Sequence, residues 1–174
     1  MKRKNIIKLT LSALFMAINV ILSSSIFSVA VPGGHVYLND VVIVIASVLL
    51  DPLEATIVSG VGAFLGDLFF YPAPMFVSLV VRGLQGFVIS YFSHHVLKEK
   101  PVLSSVIGTA IGAVIMIVGY SFGRAYIYST PEYALLKLPY QIGQAVVGAV
   151  IGLILVWVTG IGKLYVRTVN KETV

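Results

Sequence analysis

The sequence predicts an all-α membrane protein, a bundle of six transmembrane helices with the N- and C-termini cytoplasmic. Three observations carry this expectation. The mean hydropathy is +0.99, and 58% of the 174 residues are hydrophobic while only 11% are charged. A soluble domain carries about 25% charged residues to wet its surface. Apolar runs alternate with breaks marked by Pro and Gly, and the basic residues cluster on one side of those breaks. At ~20 residues per span, the length leaves room for six spans and short loops. Residues 1–174 are therefore expected to form a single transmembrane domain, with no soluble catalytic or nucleotide-binding part.

The first helix is expected from Ile7 to Val29, stopping at Val31-Pro-Gly-Gly-His35. Its basic start resembles a signal peptide. The apolar run is longer than a ~7–15-residue signal core and lacks a small-residue cleavage site, so it reads as a retained span. The second helix is expected from Tyr37 to Leu50, ending at Asp51-Pro52. It is short for a span, with a re-entrant segment as the alternative. The third covers Leu53 to Phe70, before Tyr71-Pro-Ala-Pro74, and the fourth Met75 to Val96, before Lys98-Glu-Lys-Pro101. The fifth covers Val102 to Ile127, followed by Ser129-Thr-Pro-Glu132. The sixth covers Leu136 to Ile161, before a charged tail. Pro and Gly mark these breaks because neither continues a helix well.

Lys2, Arg3, Lys4, Lys8, Lys98, Lys100, Lys163, Arg167 and Lys171 fall on one side of a six-span arrangement. Arg124 and Lys137 fall on the other, and Arg82 lies within a helix. This is the positive-inside pattern, which puts both termini in the cytoplasm. The net charge of +5 thus belongs to topology and lipid headgroups, not to nucleic acid. Cysteine is absent, which excludes disulfides and thiolate metal sites.

Small residues four apart place close-packing surfaces on one helix face: Gly62/Gly66, Gly108/Gly112, Gly119/Gly123, Ala145/Ala149 and Gly148/Gly152 read as packing within the bundle. Ala13/Ala17, near the cytoplasmic end of the first helix, suits a partner helix equally well. The polar residues of the spans gather in the outer half. Asp67 is expected roughly 5 Å deep and Arg82 roughly 10 Å deep, from a rise of ~1.5 Å per residue. Gln85 shares Arg82's face, Gln141 and Gln144 form a second i,i+3 pair, and Tyr120 and Arg124 end the fifth helix. Asn39 and Asp40 open the second helix, after His35 and Tyr37. A pathway through the membrane needs polar groups along its whole depth; a pocket open to the outside needs them at one end.

Each group has a structural reading too. Asp67 and Arg82 are expected to neutralise each other, Gln141 and Gln144 to bridge helices, and Asn39 and Asp40 to cap the second helix. Tyr126 and Tyr128 read as interfacial anchors, His35 as a solvated loop residue, and His94 and His95 as interfacial. The chain has no phosphate-cradling G-x-x-x-x-G-K-[ST] loop and no H-E-x-x-H helix. Histidines stand only at helix ends, so no intramembrane Ser–His dyad is available. No catalytic residue, metal site or cofactor is expected. What remains is a binding protein driven by an energy source elsewhere.

Ala13-Leu-Phe-Met-Ala17, Asn39-Asp-Val-Val-Ile-Val-Ile-Ala-Ser-Val-Leu-Leu-Asp-Pro52, Gly60-Val-Gly-Ala-Phe-Leu-Gly-Asp67 and Arg82-Gly-Leu-Gln-Gly86 follow in this order. With them the chain resembles, over essentially its whole length, the substrate-binding S components of energy-coupling factor (ECF) vitamin transporters. It looks most like the branch of riboflavin- and hydroxymethylpyrimidine-type S components. Asp51 stands where that branch more often has Gly, and Gln85 where it often has Glu. The resemblance implies a multi-pass protein of the cell membrane that binds a vitamin or precursor from outside, beneath the loop after the first helix. It would dock through Ala13/Ala17 on a transmembrane T component, with two cytoplasmic ATPase subunits supplying the work and the S component toppling to release its cargo. Hydroxymethylpyrimidine or a similar heterocycle is the substrate expected first; pyridoxine, pantothenate and riboflavin are the alternatives. Expected to surround it are His35, Asn39, Asp67, Arg82, Gln85, Tyr120, Gln141 and Gln144. An accessory structural subunit and a small self-sufficient facilitator are the readings from other classes.

Overall fold

The computed structural model describes residues 3–24, 27–32 and 34–170. Lys2 and Lys171 of the basic side, and Gly33 of the first loop, lie outside the described residues. The chain runs α1 (Arg3–Leu22), β1 (Ser28–Val31), β2 (Gly34–Tyr37), α2 (Asn39–Leu49), α3 (Pro52–Phe70), α4 (Met75–His95), α5 (Pro101–Gly123), a π-helical turn (Arg124–Tyr128), α6 (Pro131–Trp157) and α7 (Ile161–Asn170). Five helices among the described residues are long and apolar enough to cross a membrane: Asn5–Leu22, Pro52–Phe70, Met75–His95, Pro101–Tyr128 and Pro131–Trp157.

The remaining expected span, α2, has 11 residues and is therefore about 16 Å long, half the ~30 Å hydrocarbon thickness. It is the central element. Every residue of α2 except Val41 is buried, and α1, α3, α4 and α6 all pack against it. A helix wrapped by four others needs no lipid-facing surface, so its run Val41–Leu50, apolar but for the buried Ser47, reflects burial in protein. Its shortness follows from what precedes it. The first helix stops at Leu22, not at Val29 as expected, and the Val- and Ala-bearing segment after it forms an antiparallel hairpin. Ser28 pairs with Tyr37, Val29 with Val36, Ala30 with His35 and Val31 with Gly34. Alternating β-branched residues beside Pro32 and Gly34 suit a strand better than a helix end. The apolar period alone does not separate the two.

Close approach of backbones assembles the bundle. On α3, a Cβ on Gly62 would lie 2.7 Å from Asn19 Nδ2 of α1, and one on Gly66 would lie 2.6 Å from Ser23 Oγ. Gly86 of α4 faces Ser59 and the Ala55 carbonyl of α3. Gly108 and Gly112 of α5 face Ile89, and Gly119 and Gly123 face Val81 and Val77. Gly148 and Gly152 of α6 seat α2 at Asp40 and Val44. These expected pairs thus pack inside the bundle. Ala13 and Ala17 do not: both are exposed on α1, beside Leu14 and Ile21.

Two more boundaries differ from expectation. Helix α6 begins at Pro131, five residues before Leu136, because Pro at the first turn loses no helical hydrogen bond. It ends at Trp157, and the charged tail forms a separate helix, α7. Gly160, at φ +83°, makes the turn between them. Tyr165 of α7 packs against the apolar clusters of α1 and α2, while Leu164 and Val166 stay exposed.

Candidate functional site

The polar residues expected in the outer half converge at the N-terminal end of α2. Arg82 of α4 is almost fully buried, and its guanidinium clasps the Asp40 carboxylate; the Nη2–Oδ2 separation is 3.1 Å. It also donates to Gln85 Oε1 at 2.9 Å and to the Tyr120 hydroxyl at 3.3 Å, and stacks over the Tyr120 ring at 5.1 Å. The expected Asp67–Arg82 pair is therefore corrected: Arg82 pairs with Asp40, and Asp67 accepts from the Ser78 hydroxyl instead. The short α2 explains the change, because it ends Asp40 at the depth of Arg82. The capping reading of Asn39 and Asp40 fails for the same reason. Leu38 holds the N-cap position without a side-chain bond, and both polar residues lie inside the helix, 5% and 2% exposed.

Both glutamines of α6 bridge helices as expected. Gln141 donates to the carbonyls of Met116 at 3.3 Å and Ile117 at 2.9 Å. Gln144 donates to Asp40 and accepts from the Tyr37 backbone N–H at 3.4 Å. That second bond ties the hairpin to α6. So does Lys137, whose ammonium donates to the His35 carbonyl. His35 is therefore no solvated loop residue: it sits in β2, half-buried, with its ring against Ser28 Oγ at 3.2 Å and the Tyr37 ring at 6.2 Å. The hairpin lies over this end of the bundle as a lid.

Beneath it is a cavity of about 50 Å³. Of the expected residues, His35, Asn39, Asp67, Arg82, Tyr120, Gln141 and Gln144 all line it. Gln85 does not: it is buried behind Arg82 as that residue's acceptor. Sequence reasoning missed Tyr37, Lys137 and Tyr128 as lining residues and left Arg124 at the helix end. The π-helical turn brings Arg124 inward, where it donates to Gln141 Oε1 at 3.3 Å and lies over the Tyr128 ring at 5.7 Å. Tyr128 thereby lines the cavity, against its expected place at the interface. A visible signal existed for Lys137: a lone lysine in a span, on the side with almost no basic residues. Burial pushes the Tyr37 phenol up to about 12, with the Asp67 carboxylate adding to the shift, so it serves as a neutral donor and acceptor.

A larger concavity of about 520 Å³ opens at the other end, among Val48, Leu49, His94, Val156, Trp157 and α7. Its walls are mainly apolar and face the surface. The smaller cavity is where charged and amide groups from α2 to α6 meet, the convergent polar groups that orient and select a ligand. Two buried polar atoms on its walls have no partner among the described residues, Asn39 Oδ1 and Tyr128 Oη. Buried polar atoms are ordinarily hydrogen-bonded, so these two are available to a polar ligand.

The otherwise apolar helix bundle, with a lidded polar cavity in one end, is that of a membrane-embedded protein. The family comparison gives the particular kind. The chain belongs to the ECF-type riboflavin transporter, S component, family, whose model matches residues 3–160; it is a multi-pass protein of the cell membrane. It is similar to an uncharacterized protein in a gap 3′ region of Pyrococcus woesei, 31% identical over 135 residues, 76% of this chain and 88% of that protein. It is also similar to the thiamine precursor transporter HmpT of Lactococcus lactis subsp. cremoris, 40% identical over 92 residues, 51% of this chain and 55% of the transporter.

Proposed function

We propose that the chain is the substrate-binding subunit of an ECF-type importer, a single transmembrane domain that captures a small heterocyclic vitamin or precursor from outside. The observation that carries this reading is the lidded cavity with two buried polar atoms that have no partner among the described residues, the acceptor Asn39 Oδ1 and the Tyr128 hydroxyl. Hydroxymethylpyrimidine is the substrate we place first, supported by the similarity to a thiamine precursor transporter. An aminopyrimidine offers a flat ring for Tyr120 and Tyr128. Its amino edge donates, and its ring nitrogen accepts. Asp67 and Asn39 Oδ1 suit the donors, and the Tyr37 hydroxyl suits the acceptor.

The reading includes six membrane-inserted helices, α2 among them, with cytoplasmic termini. Support comes from the two exceptions to the basic-residue asymmetry. Arg124 and Lys137 line the cavity and so do not count as outer-loop residues under the positive-inside rule. A T component and two ATPase subunits are the proposed partners. The exposed Ala13/Ala17 face of α1 is the proposed docking surface, since close helix approach needs small side chains. The test is mass spectrometry of small molecules released from the purified protein, followed by titration with hydroxymethylpyrimidine. Release of an aromatic heterocycle that rebinds supports the reading. A protein that releases nothing and binds none of hydroxymethylpyrimidine, pyridoxine, pantothenate or riboflavin contradicts it.

A further inference from the structure

The charges around the cavity do not balance. Three cations stand there: Arg82, Arg124 and Lys137. Arg82 is matched by Asp40. The remaining carboxylate, Asp67, accepts from Ser78, on the wall formed by α3 and α4. Arg124 and Lys137 stand on the α5 and α6 side, and neither has an ion pair with a carboxylate among the described residues. Arg124 is held by a neutral amide and an aromatic face. Lys137 is only 3% exposed, and its sole hydrogen-bond partner among the described residues is the His35 carbonyl. An ammonium has three donors, so two of Lys137's are unused.

A lysine buried in a membrane protein without a counter-charge is costly and ordinarily pairs or marks a binding path. Maintaining Lys137 solely to tether the hairpin is a poor explanation, because an uncharged donor would serve a carbonyl without the desolvation cost of an ion. The pair also has the right chemistry for an anion. A guanidinium binds an oxyanion through its planar fork, and an ammonium serves as a point charge beside it. Asp67 is on the other wall, which makes the cavity two-ended: a carboxylate for ring donors at one end and two cations at the other.

We propose that Lys137 and Arg124 form an anion subsite, so that the ligand taken beneath the hairpin is an aromatic heterocycle accompanied by a phosphate or carboxylate. This rests on the reading of the cavity as the vitamin site. The oxyanion is either a substituent of the ring compound or a free anion bound beside it, and it completes the charge balance of the site. Where the oxyanion is a substituent, the inference narrows the substrate class towards acidic forms of the heterocycle.

The experiment titrates the full-length protein in detergent with hydroxymethylpyrimidine and with its monophosphate ester, each with and without inorganic phosphate. Wild type is compared with Lys137→Met and with Arg124→Gln, which leaves the Lys137–His35 bond intact and so guards against a loss of the lid. Binding of the ester at least about tenfold tighter than the neutral ring, equivalent to ~1.4 kcal/mol, with the advantage lost in both variants, shows the anion to be a substituent. If inorganic phosphate tightens the neutral ring in wild type and in neither variant, the anion is a free one; both results support the subsite. Equal affinities for ring and ester, unmoved by phosphate in all three proteins, overturn the subsite and leave the vitamin reading standing. Failure of wild type to bind either ring compound under any condition, with no acidic compound released on denaturation, overturns both.

Discussion

At the scale of single residues, the Asp40–Arg82 pair and the Asp67–Ser78 bond make opposite demands. Removing one partner of a buried ion pair strands the other charge, at about 3–5 kcal/mol. Arg82→Gln is therefore expected to lower the thermal midpoint in detergent sharply. Asp67→Asn keeps an acceptor for Ser78 and is expected to change stability by less than about 1 kcal/mol. Equal losses would restore the Asp67–Arg82 pairing that the sequence suggested. The glutamines give a second test. Gln144 lies on the cavity and holds both Asp40 and the lid N–H of Tyr37, whereas Gln85 stands behind Arg82. Gln144→Leu is expected to weaken ligand binding at least about tenfold, or ~1.4 kcal/mol, and Gln85→Leu by clearly less, measured by titration of the isolated protein. The cavity's polar set was readable from shared depth along helices that are otherwise apolar. Which charge met which was not, because pairing depends on the axial offset between α2 and α4, and residue spacing within one helix carries no information about that offset.

At the scale of elements, glycine positions divide into those that seat a neighbour and those that do not. A Cβ on Gly86 would lie 2.6 Å from Ser59 Oγ and 2.8 Å from the Ala55 carbonyl, and a backbone oxygen cannot rotate away. Gly86→Val is expected to cost about 1–3 kcal/mol. Gly143 has nothing within 4 Å, so Gly143→Ala is expected to be neutral or stabilising by less than about 1 kcal/mol; melting curves of the two variants check both statements. The Ala13/Ala17 face makes a third case, small residues that seat nothing within the chain. Replacing both with Trp is expected to abolish transport in cells with the ATPase module while leaving ligand affinity within about twofold, because the obstruction acts only on helix approach. A parallel loss of affinity would make the alanines part of the bundle's own packing. The four-residue spacing was legible and most of its pairs do pack internally. The hairpin and the π-helical turn were not, since a lid strand and a helix end share the same apolar run, and a one-residue change in helical repeat leaves no compositional mark.

At the scale of the whole molecule, the orientation has a direct test because the chain contains no cysteine. A cysteine at Ala73, in the turn between α3 and α4, is expected to react with an impermeant maleimide in sealed cells. One at Glu99, between α4 and α5, is expected to react only after lysis. External labelling at Glu99 would invert the proposed topology. The central α2 has a consequence for how the protein is made. Asp40 is bonded to Arg82, 42 residues later in the chain, and to Gln144, 104 residues later. At a synthesis rate of about 5–20 residues per second, Gln144 follows Asp40 out of the ribosome by roughly 5–20 s. Throughout that interval a half-length helix with an acidic residue at its end must wait beside α1, too short to hold itself in the bilayer. On the proposed six-helix arrangement, commitment of α2 to the membrane is expected late in biogenesis, timed by the emergence of α4 and α6, and a ribosome stalled before Arg82 should leave Asp40 open to the aqueous phase.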